Sequence, residues 1–185
     1  MPVPLRPLPQ PKPVLGVCDV AEQQTVPLAE AVENVRLMAR RTALLYYYFA
    51  KTLVDELGEE EGKRLIAKAV WAYGEHCGRV VRQGVEAMGL PTTAENFNKV
   101  ADLPRLGWDT GTATQPNGEQ RPIATYCPLA AVWKELHAEE LGRMYCCVDQ
   151  AKYHGYNPAF KFTHSKNVLD GDEYCEFLVE APPAG

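Results

Sequence analysis

Apolar positions recur along this chain with two different periods, and the change between them divides it. From Leu28 to Leu57 the spacing is helical: Leu37, Leu44 and Tyr48 share one stripe, while Leu45, Phe49, Leu53 and Leu57 follow at four-residue steps. Gly58 predicts the stop, as the left-handed residue that closes a helix. A second long helix is predicted from about Glu59 to Met88. Its three opening glutamates complement the helix dipole, and Gly89 with Pro91 ends it. Gly74, Gly78 and Gly84 lie inside that helix, each costing roughly 1 kcal/mol against alanine. The four-residue spacing of Gly74 and Gly78 predicts a flat face where another backbone packs closely.

Beyond Pro91 the period falls to two. The stretch 92–107 reads as loop or short helix, then "WDTGTAT" and "QRPIATY" flank "QPNGE", and Asn117-Gly118 between two strand-like runs predicts a hairpin. A third helical region, "LAAVWKELHAEELGRMY" and onward, follows Pro128. "FKFTHSKNVL" and "EYCEFLVE" then flank "DGD" and predict a second hairpin, with Phe160, Phe162, Tyr174, Glu176 and Leu178 in period-two positions. The order predicts an α+β fold: a small, mainly antiparallel sheet built from two hairpins, packed against two long N-terminal helices and a third, central helix. The expected organisation is a Pro-rich arm over 1–27, a single domain over 28–180 and a tail over 181–185. Six of the first 13 residues are proline, which favours an extended, polyproline-like arm.

Composition narrows the function. With 185 residues, 46% hydrophobic and 23% charged, the chain has enough for one well-cored domain. A net charge of −5 argues against a nucleic-acid partner, which calls for a basic face. No apolar run reaches the length of a membrane-spanning helix, and the N-terminus lacks the apolar stretch of a secretion signal, so no membrane partner is expected. The six cysteines are then expected as reduced thiols in a cytoplasmic setting. The long apolar helices are compatible with a homo-oligomer.

Three of those cysteines carry the chemistry. Cys127 ends a strand-like run and Pro128 follows, so Cys127 is the expected N-cap of a helix, where the partial positive charge favours a thiolate. The alternative is a small buried apolar residue. Cys146 and Asp149 stand at i and i+3 on one helical face with Tyr153 at i+7, while Cys147 points about 100° away. A buried carboxylate needs solvent, a partner or a pocket, and the apolar neighbours of Asp149 favour the pocket. Cys175 lies on the last strand. Asn157-Pro158 also reads as a helix-ending turn, Asp170, Gly171 and Asp172 as hairpin residues, and the four histidines have no metal-ligand spacing.

The run from Cys127 to Glu180 resembles the L-2-amino-thiazoline-4-carboxylic acid hydrolase family. The resemblance is carried by Cys127, by Cys146 with Asp149, by Gly155 to Pro158, by Thr163 to Lys166, by Gly171-Asp172, and by Cys175-Glu176-Phe177. It is looser over the two long helices and leaves out the arm, Cys147, His137 and His154. The closing hairpin also resembles 4-vinyl-reductase-type small-molecule-binding domains, although this chain has no second cysteine shortly before Cys175. The first resemblance implies hydrolysis of a small cyclic substrate at the amidine-like carbon of a 2-amino-thiazoline, giving an N-carbamoyl-cysteine. The expected catalytic group is Cys127, Cys146, Asp149 and Cys175, with Cys127 or Cys146 as nucleophile; Asn157, His164, Lys166 and Tyr153 are expected at the substrate. No cofactor is expected. A zinc held by Cys127, Cys146, Cys175 and Asp149, activating water, is the alternative, and a non-catalytic ligand-binding domain is another.

Overall fold

The computed structural model describes residues 25–181; most of the Pro-rich arm, with Cys18, and the last four residues of the tail lie outside them. Helix α1 spans Leu28–Leu57 and α2 spans Glu59–Ala87, joined at Gly58, whose φ of 80° only glycine adopts readily. A short α3 (Ala94–Phe97) leads through a loop to β1 (Asp109–Thr114) and β2 (Gln120–Tyr126). Then come α4 (Pro128–Glu135), α5 (Glu139–Tyr145), α6 (Cys147–Tyr156), β3 (Lys161–Lys166) and β4 (Cys175–Glu180). The four strands form one antiparallel sheet in the order β1-β2-β4-β3, so the fold is α+β. No helix among the described residues is long and apolar enough to cross a membrane.

Helix α6 is the middle layer, with α2 against one side and β3 on the other, while α4 packs on α1. Glycine makes the α2–α6 contact possible. A Cβ on Gly74 would meet the Ala151 Cβ and the Val148 carbonyl at 2.6 Å, and one on Gly78 would land on the Lys152 carbonyl. From the other side, Gly155 of α6 faces the Glu75 backbone of α2. The flat face expected from the glycine spacing is therefore where α6 lies.

Two features depart from the sequence reading. In α1 the buried positions are Ala39, Ala43 and Ala50, while the larger Leu37, Leu45, Tyr48 and Phe49 are mostly exposed. Ala43 packs against α4, and Ala50 against Ile66 and Val70 of α2 and Val148 of α6. Close approach at these places selects small residues, and periodicity cannot distinguish that stripe from the bulkier one beside it. The central helix is broken twice. His137 adopts a φ of 50°, and Ala138 donates its amide to the Trp133 carbonyl at 2.8 Å, which closes α4. The turn brings Gly142 of α5 against the Trp133 indole, which is 1% exposed and donates Nε1–H to the Ala43 carbonyl at 3.1 Å.

The first hairpin closes as expected around Gly118 (φ 84°), with Gln115 and Glu119 paired across it. The link between β3 and β4 is longer than a tight Asp-Gly-Asp turn. Asn167 organises it: its amide donates to Asp172, its side-chain oxygen accepts from Leu169, and its carbonyl accepts from Asp170 and Asp172.

Candidate active site

A cavity of about 510 Å³ opens between α1, α2, the loop before β1, the start of α4 and the start of α6. Its walls carry Cys127, Cys146 and Asp149, together with Cys77, Asp102, Trp108, Tyr73, Tyr145, Trp133 and Lys152.

Cys127 reaches the cavity because β2 ends at it and Pro128 starts α4, with Cys127 as the N-cap. Its side chain makes no capping hydrogen bond. Burial is the largest influence on this thiol and pushes it up; the amides of Ala130 and Leu129 and the Trp108 side chain pull the other way without overcoming it. The helix terminus thus favours the anion, as the sequence suggests, but the resting group is a neutral thiol.

Cys146 forms the junction between α5 and α6 in helical conformation (φ −60°, ψ −16°), and the Asp149 amide donates to its carbonyl at 3.3 Å. The two side chains therefore share a face and a cavity. Burial pushes the Cys146 thiol up to about 12, although the Asn167 side chain favours the anion. Cys147 faces elsewhere, beside Arg143 and Asp170.

Asp149 is the most elaborately supported group. Its Oδ2 lies 3.4 Å from Nε2 of His164, and its Oδ1 lies 3.6 Å from Nζ of Lys152. Burial works to raise its carboxyl, but the His164 hydrogen bond and the Lys152 charge outweigh it and hold the group below the usual carboxylate range. His164 reaches Asp149 from β3 behind the cavity wall. Its side chain is 3% exposed, its ring rests edge-on against Phe162 and Phe177, and its Nδ1 has no hydrogen-bond partner among the described residues. Lys152, 10% exposed, pairs with Asp102 at 2.7 Å.

The other expected site residues stand outside the cavity wall. Cys175 is buried in the core beneath it, where its sulfur accepts the Val168 amide at 3.5 Å and burial pushes the thiol up. Tyr153 stacks between Phe97 (4.3 Å) and Phe162 (5.0 Å). The Asn157 amide donates to the Thr92 carbonyl at 3.1 Å and holds the turn after α6. Lys166 donates to the Tyr174 hydroxyl at 2.9 Å and covers that ring. Sequence reading missed Lys152, Asp102, Trp108 and Cys77. Lys152 had a signal, three residues after Asp149 on the same face; the loop residues had none. Among the described residues, no group of three or more His, Cys, Asp or Glu side chains is arranged to hold a metal.

The family model for L-2-amino-thiazoline-4-carboxylic acid hydrolase matches residues 38–179 of this chain. No curated protein and no solved structure matches it. The matched span includes every polar group in the cavity wall except Asn34.

Proposed function

The chain belongs to the L-2-amino-thiazoline-4-carboxylic acid hydrolase family, and from that premise we propose that it opens a 2-amino-thiazoline ring with Cys127 as nucleophile and Asp149 as the group that binds the amidine. The observation that carries this reading is the shared cavity: a thiol at a helix N-terminus and an ionised, well-supported carboxylate face the same space.

Asp149 accepts hydrogen bonds from the exocyclic amino group and ring nitrogen of the protonated amidine. His164 holds that carboxylate in place. The cation brought beside Cys127 offsets the burial that keeps the thiol protonated, so the nucleophile is activated when substrate binds. The sulfur adds to C2 as its proton passes to Asp149. The tetrahedral adduct collapses by breaking the C2–S bond of the ring, and Asp149 returns the proton to the released sulfur, which leaves as the thiol of a cysteine unit still attached through nitrogen. Water then adds to the enzyme-bound isothiouronium carbon, and Cys127 departs with a proton. The product is an N-carbamoyl-cysteine, with the elements of one water gained. The amides of Leu129 and Ala130 and the Trp108 indole stabilise sulfur as it gains or loses negative charge.

The test is incubation with L-2-amino-thiazoline-4-carboxylate, following free thiol and carbamoyl product by mass spectrometry. Cys127→Ser is expected to lower turnover by at least about 10³-fold, and Asp149→Asn by about 10²–10⁴-fold. A covalent adduct one substrate heavier, on the peptide containing Cys127, is the expected intermediate. Full turnover by Cys127→Ser with loss in Cys146→Ser would move the nucleophile to Cys146. Binding without turnover in wild type would leave a ligand-binding domain.

A further inference from the structure

Two charged groups in the cavity wall, Asp102 and Lys152, have no part in that mechanism. Of the residues lining the cavity, Asp102, Asp149 and Lys152 carry charge, so Lys152 is the only cation among them. Its ammonium is taken almost wholly out of bulk water, at 10% side-chain exposure, which costs several kcal/mol unless each donor is used. An ammonium has three donors. One points to Asp102 at 2.7 Å; Asp149 at 3.6 Å is beyond hydrogen-bond range, which leaves donor capacity facing the cavity.

We infer that Lys152 binds the carboxylate of the substrate, so that Lys152 and Asp149 together read a nitrogen and a carboxylate carried on one carbon, the unit shared by α-amino acids and their cyclic derivatives. The inference rests on the hydrolase reading for the identity of the ring and on cavity geometry for the rest. In a 2-amino-thiazoline-4-carboxylate the ring nitrogen and the carboxylate are both attached to C4. With that nitrogen on Asp149, the carboxylate falls within reach of a cation 3.6 Å from the Asp149 oxygen. The same placement turns C2 away from Lys152. Asp102 holds the ammonium in position and keeps it charged. Lys166, the cation expected at the substrate from the sequence, is spent on Tyr174. Lys152 is thus a specificity-determining residue: it distinguishes carboxylated from uncarboxylated rings and leaves the reacting carbon alone.

The experiment compares L-2-amino-thiazoline-4-carboxylate with 2-amino-2-thiazoline, which lacks the carboxylate. Binding is read from the fluorescence of Trp108 and Trp133, both in the cavity wall, and turnover is measured separately. Wild type is expected to prefer the carboxylated ring by about 10- to 100-fold, the value of one charge-assisted contact. In Lys152→Gln the preference, read as the ratio of the two affinities so that any change at Asp149 common to both rings cancels, falls to near one, and Lys152→Arg restores most of it. Because Lys152→Gln leaves Asp102 without its partner, the double variant Lys152→Gln/Asp102→Asn serves as a second, charge-balanced form and is expected to show the same loss. A preference kept in either glutamine variant overturns the inference, as does a wild type that binds both rings alike. Carboxylate-selective binding without turnover would leave Lys152 in its role and remove the hydrolase reading.

Discussion

Replacing Gly78 with alanine sets helix propensity directly against tertiary packing. In an isolated helix the change is worth about 1 kcal/mol in favour of alanine. In this protein the added Cβ would land on the Lys152 carbonyl oxygen and lie 2.8 Å from the Tyr156 amide nitrogen and 2.9 Å from the Lys152 carbonyl carbon. These are backbone atoms of α6 and cannot rotate aside. Relief requires α6 to withdraw from α2 by on the order of 1 Å, loosening the Gly74 and Gly155 contacts on the same interface. Overpacking costs about 1–3 kcal/mol, with the upper end expected where backbone must move, so we expect a net loss of about 2 kcal/mol after the propensity gain of about 1 kcal/mol. The assay is urea denaturation followed by far-ultraviolet circular dichroism. Gly84→Ala is the control, because its Cβ would meet only the Val100 side chain, at 2.7 Å and 3.0 Å. That change is expected to stay within about 1 kcal/mol of wild type. Since α6 carries Asp149 and Lys152, the folded fraction of Gly78→Ala should also lose about 10²-fold in turnover, the effect of a 1 Å misplacement. A Gly78→Ala protein as stable as wild type, or more stable, would refute the packing argument.

Two further predictions concern the interior around the cavity. An unfolded Cys146 thiol loses its proton near 9, while the folded one keeps it to about 12. Its contribution is therefore fully present below about pH 9 and is lost as pH rises from there toward 12, at up to about 1.4 kcal/mol per pH unit. Unfolding free energies at about pH 8 and about pH 10 should fall more steeply in wild type than in Cys146→Ala, and equal slopes would contradict the assignment. Trp133→Phe leaves the Ala43 carbonyl without its indole donor and empties part of the space against Gly142. The expected loss is about 2–4 kcal/mol in the same denaturation assay, with a smaller loss arguing that water or a rotated side chain fills the gap.

What the sequence determined by itself is local. The limits of α1 and α2, the Asn117-Gly118 hairpin, the position of Cys127 as an N-cap ahead of Pro128, and the common face of Cys146 and Asp149 each depend on residues within about two helical turns, where backbone geometry leaves few choices. The sequence also carried the family resemblance, because its motifs are contiguous. Tertiary structure decided what those elements face. Alanine rather than leucine is buried along α1, because the stripe that allows α4, α2 and α6 to approach is covered, whichever stripe is more apolar. Tyr153, Asn157 and Lys166 are taken up by stacking, a turn and a neighbouring ring, and do not line the cavity that Cys127, Cys146 and Asp149 share. Asp102 and Trp108 enter the cavity from a loop far from α6 in sequence, and no short-range pattern marks them. The balance on Cys127 is likewise a property of the assembled interior. The helix end that favours its thiolate can be read from Cys127-Pro128, but the burial that overrides it exists only once α1, α4 and the sheet have closed around the sulfur.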